Sequence, residues 1–177
     1  MGLVSWRGAE ALPATPACAD DHEPTPEQTA GPFFKARSPQ RVSLLEPGLP
    51  GPRLVLGGRV LTTACAPVPR ALLDFWHTDD AGQYDLSGFR CRGHQFADAS
   101  GRFRLETIVP GAYSGRPRHI HVRVQAPGGP ILTTQLYFPG EARNAGDGLF
   151  SPRLLMEVTE AGGERRGTFD FVLQGRR

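Results

Sequence analysis

A chain of 177 residues, 39% of them hydrophobic, is sized for one domain with its own buried core. Its formal net charge of +2 is too small and too evenly spread for a nucleic-acid surface. No run of about 18 apolar residues is present to span a membrane as a helix, and 22 glycines with 17 prolines point to a turn-rich all-β chain.

Residues 1–30 are polar and proline-punctuated, and they read as an irregular, loosely held N-terminal arm ahead of a domain over 31–177. Between Met1 and Ala19, Arg7, Glu10 and Pro13 interrupt any apolar stretch of secretory-signal length, so a cytoplasmic location is expected. Cys18, Cys65 and Cys91 show no metal-like spacing, and an odd count suits reduced structural thiols. From Leu54 onward, short apolar runs alternate with glycine, proline, aspartate and serine clusters. The expected strands are Leu54–Leu61, Ala71–Trp76, Arg102–Thr107, His119–Gln125, Ile131–Phe138, Leu154–Val158 and Thr168–Leu173. Strands of this length and spacing, without a long 3.6-residue period, predict a β-sandwich of mostly antiparallel strands with long loops.

Chemistry concentrates in Pro110-Gly-Ala-Tyr-Ser-Gly-Arg-Pro-Arg-His-Ile-His121-Val-Arg-Val. Side chains alternate faces along a strand, so His119 and His121 share one face, about 7 Å apart along the backbone. Ile120, Val122 and Val124 take the opposite face, which suits a core. A bare His-X-His pair also occurs on plain surface strands. Three neighbours favour a metal site here: Tyr113 beyond a glycine-rich turn, the cation Arg116, and the Pro110-Gly111 turn. A phenol ionises near pH 10, so only a strongly Lewis-acidic ion holds it as a ligand at neutral pH. Phenolate is a hard oxygen donor that favours iron(III), whereas zinc prefers thiolate, imidazole and carboxylate. A second phenol is then wanted, and of the three tyrosines Tyr84 and Tyr137 both remain open.

Trp76-His-x-x-x-x-Gly-x-Tyr84, Phe89-Arg-Cys-Arg-Gly-His-Gln95, Asp98 and Gly101 together resemble the intradiol ring-cleavage dioxygenases. So do Thr107-Ile-Val-Pro-Gly-Ala-Tyr113, Arg116-Pro-Arg-His-Ile-His121 and Thr134-Gln-Leu-Tyr-Phe138, with Thr25-Pro-Glu-Gln-Thr-Ala-Gly-Pro-Phe-Phe34 similar to the family's lead-in segment. The resemblance implies one Fe(3+) per chain, held by Tyr84, Tyr113, His119 and His121. It implies an enzyme that inserts both atoms of O2 into a catechol-type substrate, giving a cis,cis-muconate-type diacid. Tyr113 would be the ligand that an incoming catecholate displaces. Arg116 would stabilise charge developing on the ring, and Gln135 would support the metal face; a solvated loop cation and a satisfied strand residue are their plainer alternatives. Tyr137 reads as a packing residue, Trp76 as a core residue, and His77 and His94 as surface or supporting histidines rather than ligands.

The chain is too short for the N-terminal helical segment of catechol and hydroxyquinol members, so a compact member is expected, as a homo-oligomer. Arg118 stands where the family commonly has a small residue; facing away it meets another layer, and at the pocket mouth it would suit an anionic substituent. Two other readings are a non-catalytic β-sandwich binding module or subunit and a zinc hydrolase. The first leaves the two tyrosines, two histidines and arginine without a reason, and the second lacks an evident carboxylate ligand.

Overall fold

In the computed structural model, which describes residues 23–175, apolar residues at period two build two sheets that face each other. Five strands form the first sheet: β1 (Arg53–Thr62), β4 (Arg102–Ile108), β7 (Glu157–Ala161), β8 (Glu164–Thr168) and β9 (Phe171–Leu173). Four form the second, in the order β3 (Arg92–Phe96), β2 (Leu72–Trp76), β5 (His119–Gln125) and β6 (Ile131–Tyr137). The first sheet runs β4-β1-β8-β7, with β9 also alongside β1. Only the β1–β8 and β1–β9 pairings are parallel. The expected all-β sandwich is therefore the fold.

Leu54, Leu56 and Val60 of β1, Phe103 and Leu105 of β4, and Phe171 and Leu173 of β9 form one wall of the core. Leu73 and Phe75 of β2, Ile120, Val122 and Val124 of β5, and Leu136 of β6 form the other. Trp76 is also buried, but not in this core. Alternation with Phe75 sends it to the outer face of the second sheet, where it stacks on His121. The expectation of a core tryptophan is corrected in that sense.

Two strands escaped the sequence reading. β3 is polar and glycine-containing, and it forms because β2 pairs along its whole length. β8 is charged and largely exposed. It forms as the return of a hairpin whose two-residue turn, Gly162-Gly163, has positive φ at both positions (61° and 79°), the turn that matches strand twist. The expected strand Leu154–Val158 is instead a 3-10 turn at Pro152–Leu154 followed by β7. Thr168–Leu173 divides into β8 and β9, because Phe169 N–H turns to Gly57 O and the Asp170 carboxylate accepts the Arg59 N–H.

Residues 23–30 carry no helix or strand, yet they are tied down. Thr25 N–H donates to Val172 O, Gln28 N–H to Thr133 O, and Thr134 Oγ1 to Pro26 O. The segment thus runs along the edge of β6 and then over the outer face of the second sheet. At the opposite edge, bridges Gln40–His94 and Ser43–Glu106 carry the chain from β3 to β4 and close the sandwich. Residues 1–22, including most of the expected arm and Cys18, lie outside the described residues. Cys65 is disulfide-bonded, which corrects the reduced-thiol expectation for it, whereas Cys91 is a free, buried thiol.

Leu105 is fully buried and Ile131 is 51% exposed. Leu105→Ala should cost about 2–5 kcal/mol, and Ile131→Ala within about 0.5 kcal/mol of nothing. Urea denaturation midpoints check the contrast.

Candidate metal centre

The site sits on the outer face of the second sheet, where alternation along β5 sends His119 and His121. Their Nε2 atoms are 3.2 Å apart, and Tyr84 Oη lies 3.1 Å from His121 Nε2 and 3.4 Å from His119 Nε2. Three donors from two segments thus meet at one point. Adjacent ligands at about 2.0–2.1 Å from one transition-metal ion sit roughly 3 Å from each other, which is the spacing seen. Tyr113 joins by its ring, 5.4 Å between centroids from Tyr84 and 5.2 Å from Phe33. No three histidine, cysteine or carboxylate side chains converge among the described residues, so the donor set is imidazole and phenol.

The tyrosine-bearing loops are laced together by backbone. Gly111 N–H donates to Asp79 O (2.7 Å), and Thr78 Oγ1 donates to Gly111 O (2.8 Å). A Cβ at Gly111 would stand 2.4 Å from Asp80 O, and one at Gly82 would stand 2.3 Å from Ala112 O. Only glycine permits this approach, which seats Tyr84 beside Tyr113. Beyond Tyr84, the Asp85 carboxylate accepts N–H groups from Ser87, Gly88 and Arg90, and the bonds from Gly88 and Arg90 hold its pKa down at about 2.

Burial sets the protonation of the donors. It pushes His119 down to about 4 and His121 well below the ordinary value, so both imidazoles are neutral at pH 7. The His119 Nδ1–H donates to Pro117 O at 2.8 Å, which leaves the Nε2 lone pair facing Tyr84. Burial raises the Tyr84 phenol to about 12 despite the Arg116 and Arg92 charges nearby, so its proton leaves only to a strong Lewis acid.

Around the donors, Arg116 extends Nη1 to within 3.2 Å of His119 Nε2, while the Asp147 carboxylate accepts from its Nε and Nη2 (3.3 and 2.8 Å). Burial opposes the Arg116 charge, but Asp147 and Tyr137 together outweigh it and the pKa is raised. Tyr137 Oη accepts from Arg116 Nη2 and lies within hydrogen-bond reach of Gln28 and Gln135. It stands at the site's rim in this network rather than among the converging donors. Gln135 is opposite His121 in the ladder, fully buried, and donates to Thr29 O at 3.0 Å. It thereby fixes the segment that covers the site. Arg118 is engaged by Glu141 at 2.5 Å.

His77, expected at the surface or in a supporting place, is fully buried. Its Nδ1–H donates to Thr78 O and its Nε2 accepts from Thr107 Oγ1. His94 lies apart from the centre, against Ser38. Three residues passed over in the sequence belong to the surroundings. Phe33 stacks on Tyr84 at 4.4 Å. Arg92, buried, donates to Phe33 O and Asp85 O on either side of that stack. Asp147 holds Arg116 from 31 residues away. Gly-Pro-Phe-Phe for Phe33 and the stretch 89–95 for Arg92 were the only local signals, and Asp147 had none.

Gly111→Ala should force the two loops apart at a cost of about 1–3 kcal/mol. Gly146→Ala, whose Cβ would meet nothing within 4 Å, should be near neutral; urea denaturation compares them. His77 is held near 4 by burial, below the ordinary 6.5, so from pH 6.5 down to about 4 the unfolded chain takes up a proton that the folded one refuses. Stability of the metal-free protein should fall over that window, His77 alone contributing on the order of 3 kcal/mol. A thermal midpoint that stays level from pH 6.5 to 4 would contradict this.

The Dioxygenase family model (Dioxygenase_C) matches residues 29–175. The beta chain of protocatechuate 3,4-dioxygenase from Burkholderia cepacia is 34% identical over 155 residues, covering 71% of this chain and 66% of that protein. Catechol 1,2-dioxygenase from Pseudomonas sp. (strain EST1001) is 28% identical, with 73% of this chain and 52% of that protein covered. The chain thus spans about half to two thirds of these relatives. Among solved structures, the dioxygenase domain of a dioxygenase carbohydrate-binding protein fusion from Streptomyces sp. SirexAA-E superposes with a TM-score of 0.84 at 58% identity, over 86% of this chain and 99% of that one. The 3-chlorocatechol 1,2-dioxygenase of Rhodococcus opacus 1CP gives 0.77 at 29%, over 84% and 72%. A family match over most of the described residues, on a fold shared with enzymes that act on catechols, makes this chain a member of the intradiol ring-cleavage dioxygenases.

Proposed function

We propose that the chain holds one ferric ion through Tyr84, Tyr113, His119 and His121, and uses O2 to cleave a catechol-type ring between its two hydroxylated carbons. The convergence of Tyr84 Oη with the two Nε2 atoms at 3.1–3.4 Å carries this reading. Two neutral imidazoles and a phenol that burial keeps protonated fit a strongly Lewis-acidic ion better than zinc. The relatives act on catechol, chlorocatechol and protocatechuate, which share the vicinal diol. Ferric iron, when bound, would supply the Lewis acidity that ionises the diol and draws electron density from the ring.

The chain's own residues divide the remaining work. His119 and His121 are buried on β5, and Tyr84 is stacked on Phe33 and followed by the Asp85 turn, so these three serve as the fixed donors. Tyr113 is half-buried on a turn whose Ser114 and Gly115 are exposed and have positive φ, so it is the donor free to swing out and take a substrate proton at its oxygen. Phe33, face to face with Tyr84, keeps water from one side. Arg116 directs Nη1 at the donor cluster, where negative charge on the ring would develop. Arg118, occupied by Glu141, offers no free cation for an anionic substituent.

The purified protein loaded with ferric iron should absorb in the visible through phenolate-to-iron charge transfer. It should also convert at least one member of a catechol panel to a muconate-type product with matching oxygen uptake. A colourless iron-replete protein, or one inert to the whole panel, would overturn the proposal. Mass-spectrometric metal analysis should show iron lost from His121→Ala and kept in Tyr113→Phe. Turnover of Tyr113→Phe should drop by roughly 100-fold or more, as for loss of a proton acceptor.

A further inference from the structure

We infer that Asp147 is a positioning residue for Arg116, fixing which guanidinium nitrogen faces the reacting ring; the inference rests on the dioxygenase reading above. A guanidinium has five N–H donors in a rigid plane. The Arg116 Nε–H goes to Asp147 Oδ1, and the two Nη2 hydrogens go to Asp147 Oδ2 and Tyr137 Oη. Only Nη1 is left, and it stands 3.2 Å from His119 Nε2. The side-on fork therefore turns the one nitrogen that Asp147 and Tyr137 leave free toward the donor cluster.

Asp147 is itself preorganised. It follows the 3-10 turn Ala142–Gly146, and its N–H donates to Asn144 O. Asn144 is buried, and its Nδ2 donates to Phe138 O at the end of β6. Phe150 N–H returns to Asp147 O, and the Phe150 ring packs on Tyr137, 5.3 Å between centroids. The carboxylate is thus anchored through the strand that faces β5, and its side chain is only 10% exposed. Charge supplies a second reason. A guanidinium beside two imidazoles poised for a cation would be driven outward, and Asp147 is the carboxylate that keeps it there.

The test compares Asp147→Asn, Asp147→Glu, Arg116→Ala and the double variant Arg116→Ala/Asp147→Asn. In the metal-free protein, nitrogen-15 NMR should show a slowly exchanging Arg116 Nε–H signal that disappears in Asp147→Asn and returns in Asp147→Glu. In the iron-loaded protein, Asp147→Asn should keep its metal and visible absorption while kcat falls about tenfold to 100-fold, the scale for a misplaced catalytic group. KM should change less, and the double variant should be no slower than Arg116→Ala. Retention of the protected Nε–H signal in Asp147→Asn would overturn the inference, as would multiplicative losses in the double variant. A wild-type protein inert to all catechols would sink the dioxygenase reading while the NMR comparison still tested the fork.

Discussion

The period-two alternation of β5 governs this molecule. Within one seven-residue strand, Ile120, Val122 and Val124 seal the inter-sheet core while His119 and His121 emerge on the other side. A shift of one residue in register would bury the imidazoles in the core and expose the valines, so the packing that stabilises the sandwich also aims the donors. The ladder extends that aim across the sheet. Arg92, Trp76, His121 and Gln135 are successive partners on β3, β2, β5 and β6, forming one transverse row. Both ends of the row bind backbone carbonyls of the covering segment, Phe33 O and Thr29 O. Between them Phe34 meets Trp76 edge-on.

Electrostatics follows from this placement. The outer face of a sandwich sheet is ordinarily wet, but here the covering segment and the two laced loops exclude enough water to hold both imidazoles neutral and the Tyr84 phenol protonated. Cations at the rim are matched individually: Arg116 by Asp147, Arg118 by Glu141. The interior of the site therefore lacks a bound negative charge until a phenol gives up its proton, which suits a centre whose charge arrives with an ion and an acidic diol.

Much of this was legible in the sequence, because local rules determined it. The strand bearing His119 and His121, its inward face and the turn before it all follow from alternation and turn chemistry over fifteen residues. Nothing local reveals that Tyr84 rather than Tyr137 meets the imidazoles, since the choice depends on Gly82 and Gly111 letting two distant loops touch; family resemblance pointed to Tyr84 before the geometry was in view. β3 and β8 escaped because their residues are polar and their strand character comes from partners. That His77 is buried rather than at the surface was not legible either, since its burial depends on Thr107, thirty residues on. Asp147 was invisible for the same reason.

The segment over the site is fastened at its outer end to β9: Thr25 donates to Val172 O and accepts the Val172 N–H on its own hydroxyl. Those partners are 147 residues apart, and β9 is the last strand among the described residues. In the order of synthesis, all four prospective ligands emerge before the strand that anchors their cover. A growing chain on the ribosome therefore presents its histidines and tyrosines under an unfastened flap, and closure over them is among the longest-range events in folding. Assembly of the centre is in this way tied to the emergence of β9, and a product truncated before it would carry the donors without the enclosure that tunes them.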